Sequence, residues 1–167
     1  MKRIALFVGI VIALSLFCSC TEKERPSTLE LITELTSHEV GLPAGSIYST
    51  ASGKGDDGYM SSSLIASLYG DGSIPKVCEG WIECSAFIPL SSHPCEFSVI
   101  YCSSYDVAED TATLLSKRLL LLKKAKIGGE YDFELDHAKV IIFKNYAILI
   151  ISSDSAAAEK AIKSIIS

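Results

Sequence analysis

WIECSAFIPLSSHPCEFSVIY, residues 81–101, is the stretch that decides the fold. Apolar and polar residues alternate loosely in its first part, and they alternate again after the turn signal Ser91–Pro94. Alternation with a period of two on both sides of a turn is typical of a β-hairpin. The apolar positions of the two runs are Ile82, Cys84, Ala86, Ile88, Phe97, Val99 and Tyr101.

A second hairpin is predicted further along the chain, from His137–Lys144 and Tyr146–Ser152, with Asn145 as its turn residue. Each hairpin leads into a helical pattern, Asp106–Lys126 after the first and Ala156–Ile166 after the second. The sequence therefore predicts the order ββαββα and a mainly antiparallel four-stranded sheet packed by helices. Whether the two ββα halves are a duplicated unit stays open.

The segment before the first hairpin has two short helical patterns, Thr28–Glu39 and Ser62–Tyr69. Residues 43–63 between them are rich in Gly, Ser and Ala, which predicts a loop that holds at most a short strand at Ser46–Thr50. The predicted fold class is α+β, with N-terminal helices beside the sheet.

Four cysteines lie within the predicted fold, and their spacing excludes a paired-cysteine zinc motif. Two interpretations stay open: disulfides, or small buried apolar residues. A four-residue turn would place Cys84 opposite Tyr101, whereas a one-residue bulge would bring Cys84 beside Cys102. Cys84 and Cys102 are therefore the candidate disulfide. The four cysteines are Cys78, Cys84, Cys95 and Cys102.

The N-terminus has the pattern of a bacterial export signal. Met1-Lys2-Arg3 precedes an apolar run, Ile4–Phe17, that is short for a membrane-spanning helix and is followed at once by polar residues. Phe17-Cys18-Ser19-Cys20 looks like a lipobox, in which a small residue precedes the cysteine that is lipidated. Ser19 is small and Phe17 is not, so Cys20 is the predicted lipid attachment site.

These features divide the chain into a signal peptide, residues 1–19, a polar tether, residues 20–27, and a single α+β domain, residues 28–167. The predicted location is the cell membrane, with the lipid-anchored domain outside the cytoplasm. Cleavage of the signal removes Lys2 and Arg3, and the formal net charge then moves from −5 to −7. This acidic balance argues against a nucleic-acid partner.

Four stretches resemble the domain-of-unknown-function 4358 family of small bacterial lipoproteins. They are SLIASLYG, EFSVIYCSS, LLSKRLLLLKK and EYDFELDHAKVIIFKNYAILIISSDSAAAEKAI, within residues 60–166. The resemblance rests on Leu68-Tyr69-Gly70, Arg118, Tyr131 and Asn145-Tyr146. It implies a fold and a location, and it brings no activity, ligand or cofactor.

Arg118 and Tyr131 are the polar candidates for a structural or ligand contact. Arg118 lies in a leucine-rich stretch, where we expect its stem to cover apolar surface while the guanidinium stays in water. The alternative is a contact between Arg118 and Glu130, Tyr131 or a ligand carboxylate, since an unpaired buried charge is costly.

The histidines do not form a ligand pattern, and we expect neither a metal site nor a cofactor. His93 and Cys95 are the nearest approach to a nucleophile and its base. The leading interpretation is a non-enzymatic envelope protein that binds a small ligand or an unknown protein, held at the membrane by its lipid. The alternatives are a cell-surface hydrolase or thiol enzyme, and a regulator of another envelope protein.

Overall fold

A five-stranded antiparallel sheet with the order β1-β2-β3-β5-β4 is the centre of the fold. The computed structural model describes residues 25–126 and 132–167. The strands are β1 (Gly45–Ser49), β2 (Trp81–Pro89), β3 (Glu96–Cys102), β4 (Lys139–Phe143) and β5 (Tyr146–Ile151). The helices are α1 (Thr28–His38), α2 (Ser62–Tyr69), α3 (Tyr105–Lys126), α4 (Asp132–His137) and α5 (Ser155–Ile166), and a 3-10 helix spans Lys76–Gly80. The fold class is α+β, as predicted.

The predicted four-stranded sheet is one strand short, because β1 pairs with the outer side of β2 from Gly45↔Pro89 to Ser49↔Ser85. Its sequence, GSIYS, carries too few apolar residues to stand out from the loop around it. Gly45 permits the pairing, since a Cβ at this position would lie 2.4 Å from the ring of Phe87. The strand is thus specified by its neighbour.

The predicted order ββαββα also omits α4. The sequence pattern placed the start of a strand at His137, but residues Asp132–His137 are helical and β4 begins at Lys139. Acidic residues in the first turn of α4 and His137 in its last turn complement the helix dipole. So short a helix has too few residues for a helical period to be recognised.

The register of the first hairpin differs by one residue from the prediction. Cys84 pairs with Ile100, not with Tyr101, and a bulge between Trp81 and Glu83 brings Trp81 opposite Cys102. The connection between β2 and β3 is longer than a four-residue turn, because Pro89 and Pro94 have no N–H to donate to the ladder.

Helices cover both faces of the sheet. On one face α1 and α5 pack against alternate strand residues such as Phe97 and Ile148. On the other face α3 packs, through Ala108 and Leu115, against residues such as Ile100 and Leu149. All six residues of β5 are buried, which explains its nearly continuous apolar sequence.

None of the helices in residues 25–126 and 132–167 is both long and apolar enough to span a bilayer.

Candidate functional site

The sequence-predicted site residues have different outcomes. Cys20 and Tyr131 lie outside the described residues, as does Glu130. Arg118, Cys84 and Cys102 are described, and each has a defined environment.

Arg118 is the centre of a buried ion pair, so its guanidinium does not stay in water as expected. Its Nε and Nη2 each donate to the carboxylate of Glu96 at 2.5 Å, and its Nη1 donates to the carbonyl of Leu68 at 2.9 Å. Burial lowers the pKa of Arg118, but the bonds to Glu96 outweigh this effect and raise it. The contact ties α3 to the start of β3 and to α2, which is a structural role.

The candidate disulfide between Cys84 and Cys102 is not formed, and the four described cysteines are free thiols. Cys102 lies opposite Trp81, and its sulfur is 3.6 Å from the hydroxyl of Thr111. Burial raises the pKa of the Cys84 thiol far above its ordinary value. Cys84 and Cys102 therefore behave as small core residues.

Cys95 and His93 do not have the geometry of a nucleophile and its base. The Nδ1 atom of His93 accepts a hydrogen bond from the backbone N–H of Cys95 at 3.1 Å. The Cys95 side chain is buried, and burial raises the pKa of its thiol to about 12. A thiol with such a pKa is almost wholly protonated near neutral pH, and the thiolate is the reactive form.

The other two histidines make local contacts. His38 Nε2 lies 2.8 Å from Glu34 within α1, and His137 Nδ1 lies 2.8 Å from the carbonyl oxygen of Phe133 within α4. In the part of the chain that the structure describes, His, Cys, Asp and Glu side chains form no group of three that could hold a metal ion.

A second buried carboxylate organises the N-terminal end of the described chain. Glu83 accepts hydrogen bonds from Arg25 Nη1 at 2.9 Å, from the backbone N–H of Thr28 at 2.9 Å and from Thr28 Oγ1 at 3.0 Å. Ser27 is the N-cap of α1 and forms a capping box with Glu30. The hydroxyl of Thr28 is thereby left to reach the sheet.

Two tyrosines complete this arrangement. The guanidinium of Arg25 lies over the ring of Tyr101, 4.1 Å from its centroid, and the rings of Tyr101 and Tyr146 are 4.8 Å apart. The hydroxyl of Tyr146 donates to the carbonyl of Pro26 at 2.6 Å. We call residues 25–28, with Glu83, Tyr101 and Tyr146, the N-terminal clamp. The end of the predicted tether is thus fixed on the sheet.

A cavity of about 320 Å³ opens beside the N-terminal clamp. On its other side is the β4–β5 turn, where Lys144 has a φ of +52° and its Nζ donates to the carbonyl of Ile166 at 2.6 Å. The cavity combines two cations, two aromatic rings and an amide, and its described lining includes no Asp or Glu. Its lining residues are Arg25, Pro26, Tyr101, Lys144, Asn145, Tyr146, Ile166 and Ser167.

A smaller cavity of about 250 Å³ lies between the end of α1 and the start of α5. Its wall is mostly alanine and other apolar side chains, and Glu39 Oε1 closes one side by accepting from the backbone and hydroxyl of Ser153 at 3.0 and 2.8 Å. The polar side chains of its wall are already bonded within the protein: His38 to Glu34, Glu39 to Ser153, and Asp154 to the N–H of Ala157. This cavity therefore offers little to orient a ligand.

Comparison with known proteins gives no relative: no protein-family model, curated protein or solved structure matches this chain.

The sequence did not point to the clamp residues. Glu83 stands at a polar position of β2, which a pattern of alternation assigns to solvent, but α1 covers this face. Arg25 stands in a polar segment that is typical of a tether. The only signal was indirect: an amphipathic α1 must bury its apolar face against some part of the sheet.

Proposed function

We propose that the protein is a lipid-anchored, non-enzymatic binding protein that works outside the cytoplasm, with its lipid on Cys20 and its ligand site in the cavity beside the N-terminal clamp. The proposal includes kinship with the domain-of-unknown-function 4358 lipoproteins, on the residues quoted above. The observation that carries it is the lining of the cavity.

The ligand class follows from this lining. Arg25, which is also paired with Glu83, and Lys144 bring two positively charged side chains to a cavity whose described lining has no acidic side chain. Tyr101 and Tyr146 add aromatic surface, and Asn145 adds an amide that can both donate and accept hydrogen bonds. A concave site with convergent polar groups on apolar walls is the usual form of a small-molecule site. We infer a small anionic ligand with a flat or apolar part.

The position of the clamp supports a site close to the membrane. Cys20 precedes Arg25 by five residues, and an extended chain of that length spans at most about 17 Å. If Cys20 carries the lipid, the cavity opens within that distance of the bilayer surface. The ligand would then come from an anionic lipid headgroup or from a free anion near the surface.

The anchor is tested by mass spectrometry of the mature protein, produced from the full chain in a bacterial host. We expect an N-terminal peptide that begins at Cys20 and carries a diacylglycerol group. A mature chain that begins elsewhere, or one that keeps Met1, contradicts the lipoprotein assignment. The binding site is tested by a separate experiment, so that a negative result for the lipid anchor leaves the test of the cavity unaffected.

The site is tested by titration of the detergent-solubilised lipoprotein with phenyl phosphate, inorganic phosphate and micelles doped with phosphatidylglycerol. Phenyl phosphate should bind more tightly than inorganic phosphate, since its ring can also contact the tyrosine rings. Binding should fall at least tenfold in Arg25→Gln and stay unchanged in Lys124→Gln, an exposed lysine on α3. Equal losses in both variants, or no binding of any probe, would contradict an anion site at the clamp.

A further inference from the structure

The two edges of the sheet differ in how far other parts of the chain cover them. At the β1 edge, Ser49 donates its N–H to the carbonyl of Gly58 at 2.8 Å and accepts from the N–H of Met60 at 2.9 Å. The loop after β1 therefore closes part of this edge. The other edge is β4, which hydrogen-bonds only to β5 within the sheet.

The hydrogen-bonding pattern shows which groups of β4 point outward. The N–H of Cys102 donates to the carbonyl of Asn145 at 2.9 Å, so the bonds from β5 to β3 come from Ala147 and every second residue after it. The residues of β5 between them bond to β4, at the pairs Phe143↔Tyr146, Ile141↔Ile148 and Lys139↔Ile150. The backbone N–H and C=O groups of Val140 and Ile142 therefore point away from the sheet.

These four groups have no hydrogen-bond partner among residues 25–126 and 132–167. The side chains that commonly guard such an edge are lysines. Here Lys139 donates to Glu159 at 2.5 Å and Lys144 donates to the carbonyl of Ile166 at 2.6 Å, so both ammonium groups are directed to α5. Between them lie four partly exposed apolar residues, Val140, Ile141, Ile142 and Phe143.

We propose that a second copy of this chain occupies the β4 edge, through antiparallel pairing of β4 with β4 about a two-fold axis at Ile141. In this register Val140 of each copy lies opposite Ile142 of the other copy. All the outward N–H and C=O groups of both strands are then paired, which gives four hydrogen bonds. If the register moves by two residues, Val140 pairs with Val140 of the other copy, or Ile142 pairs with Ile142. The outward N–H and C=O groups of the other residue then face a helix end or a turn and not a strand.

The charges of the strand favour self-pairing in this register. Lys139 of each copy falls opposite Phe143 of the other copy, so no two like charges are directly opposed. The contact is isologous, as two-fold symmetry requires, and it joins two five-stranded sheets into one. One short strand from each copy buries less area than a standard interface, so we expect a dissociation constant in the micromolar range.

Crosslinking of the full-length lipoprotein in detergent tests the register. In the proposed pairing Ile141 of one copy lies opposite Ile141 of the other copy, at a non-hydrogen-bonded position. The two Cα atoms are then about 4.5 Å apart, a distance that a disulfide can bridge. In a Cys78→Ser background, mild oxidation of Ile141→Cys should convert most of the protein to a disulfide-linked dimer. Val140→Cys and the β1-edge control Ile47→Cys should give at least fivefold less dimer.

Two outcomes would overturn the proposal. One is dimer formation by Ile141→Cys no faster than by Ile47→Cys. The other is faster crosslinking of Val140→Cys than of Ile141→Cys, which indicates another register.

Sedimentation equilibrium of the unaltered chain gives an independent test. Val140→Pro removes one outward N–H from β4 and takes no hydrogen bond from β5, because proline is tolerated on an edge strand. We expect a reversible monomer–dimer equilibrium for the parent and at least tenfold weaker association for Val140→Pro, with circular dichroism as the check on folding. A parent that stays monomeric at several hundred micromolar contradicts the proposal.

Discussion

Glu83 and Glu96 are buried carboxylates on neighbouring strands, and each is paired with an arginine. Glu96 begins β3 and lies on the face covered by α3, where Arg118 holds both of its oxygens. Glu83 lies near the start of β2 on the face covered by α1, where Arg25 and Thr28 share it. The side chain of Arg118 is 17 % exposed, whereas that of Arg25 is 40 % exposed.

The difference separates a structural contact from one that can open. Removal of Arg118 leaves the charge of Glu96, whose side chain is 4 % exposed, with almost no access to water. Arg25 can instead turn into solvent while Thr28 continues to hold Glu83. The first pair joins helices to the sheet, and the second fixes the segment that leads to the predicted anchor and borders the cavity. The variants below test this contrast, from the largest expected effect to the smallest.

Arg118→Met should be the most damaging of the four changes. It leaves Glu96, whose side chain is 4 % exposed, without its counter-charge, and loss of one partner of a buried pair typically costs about 3–5 kcal/mol. Urea denaturation of the variant and the parent measures this loss. The double variant Arg118→Met/Glu96→Met should recover most of it, because both charges are then absent. A double variant as unstable as Arg118→Met would contradict the role given to the pair.

The sequence predicted the frame of the molecule better than its polar contacts. Period-two alternation identified the first hairpin. Two nearly continuous apolar runs on either side of Asn145 identified the second, whose strand β5 is buried on both faces. A short strand at Ser46–Thr50 was allowed for, but its place in the sheet was not predicted, because β1 is specified by its pairing with β2. α4 was missed because it is too short to show a helical period. The register error at Cys84 came from the connection between β2 and β3, whose length a sequence pattern does not define.

The ion pairs were beyond sequence reasoning for a related reason. Arg118 was singled out by its leucine-rich surroundings, but its partner Glu96 is 22 residues away on another element. Arg25 and Glu83 are 58 residues apart, and each occupies a locally polar segment that is typical of exposed positions. Only the packing of α1 over β2 brings them together. The spacing of residues in one sequence does not predict a contact between residues so far apart.

Glu83→Gln should have an intermediate effect. The amide keeps an oxygen that can accept from Thr28 but loses the charge that attracts Arg25, and a hydrogen bond to a charged group contributes about 1.5–3 kcal/mol. We expect a loss of unfolding free energy near the lower end of that range, measured by urea denaturation. Thr28→Val removes the hydroxyl, with its bonds to Glu83 and Ser85, but keeps the charge of Glu83, so it is the comparison variant and should cost less. A loss as large as that of Arg118→Met would contradict the contrast between the two carboxylates.

Arg25→Gln should barely alter folding while it impairs the cavity. An exposed ion pair contributes about 0.2–1 kcal/mol, and Thr28 remains on Glu83. The same variant removes one of the two cations of the cavity, so phenyl phosphate binding should fall at least tenfold. Thermal unfolding and titration of one sample give both quantities. If the variant loses several kilocalories per mole of unfolding free energy but binds phenyl phosphate normally, Arg25 is a structural residue like Arg118.

Glu159→Gln should give the smallest effect, and that effect should depend on pH. Hydrogen bonds from Lys139 and Lys163 hold the pKa of Glu159 below its ordinary value of 4.5. A carboxyl whose folded pKa is lowered stabilises the fold above its unfolded pKa, and this contribution is lost as the pH falls through the folded pKa. Parent and variant should thus differ by about 0.5 kcal/mol at neutral pH, as is usual for a partly exposed pair, and the difference should shrink as the pH falls below 4.5 and the Glu159 carboxylate is protonated. Glu79→Gln, an exposed carboxylate without an ion pair among the described residues, is the control. A difference that stays constant as the pH is lowered would mean that Glu159 acts through packing and not through its charge.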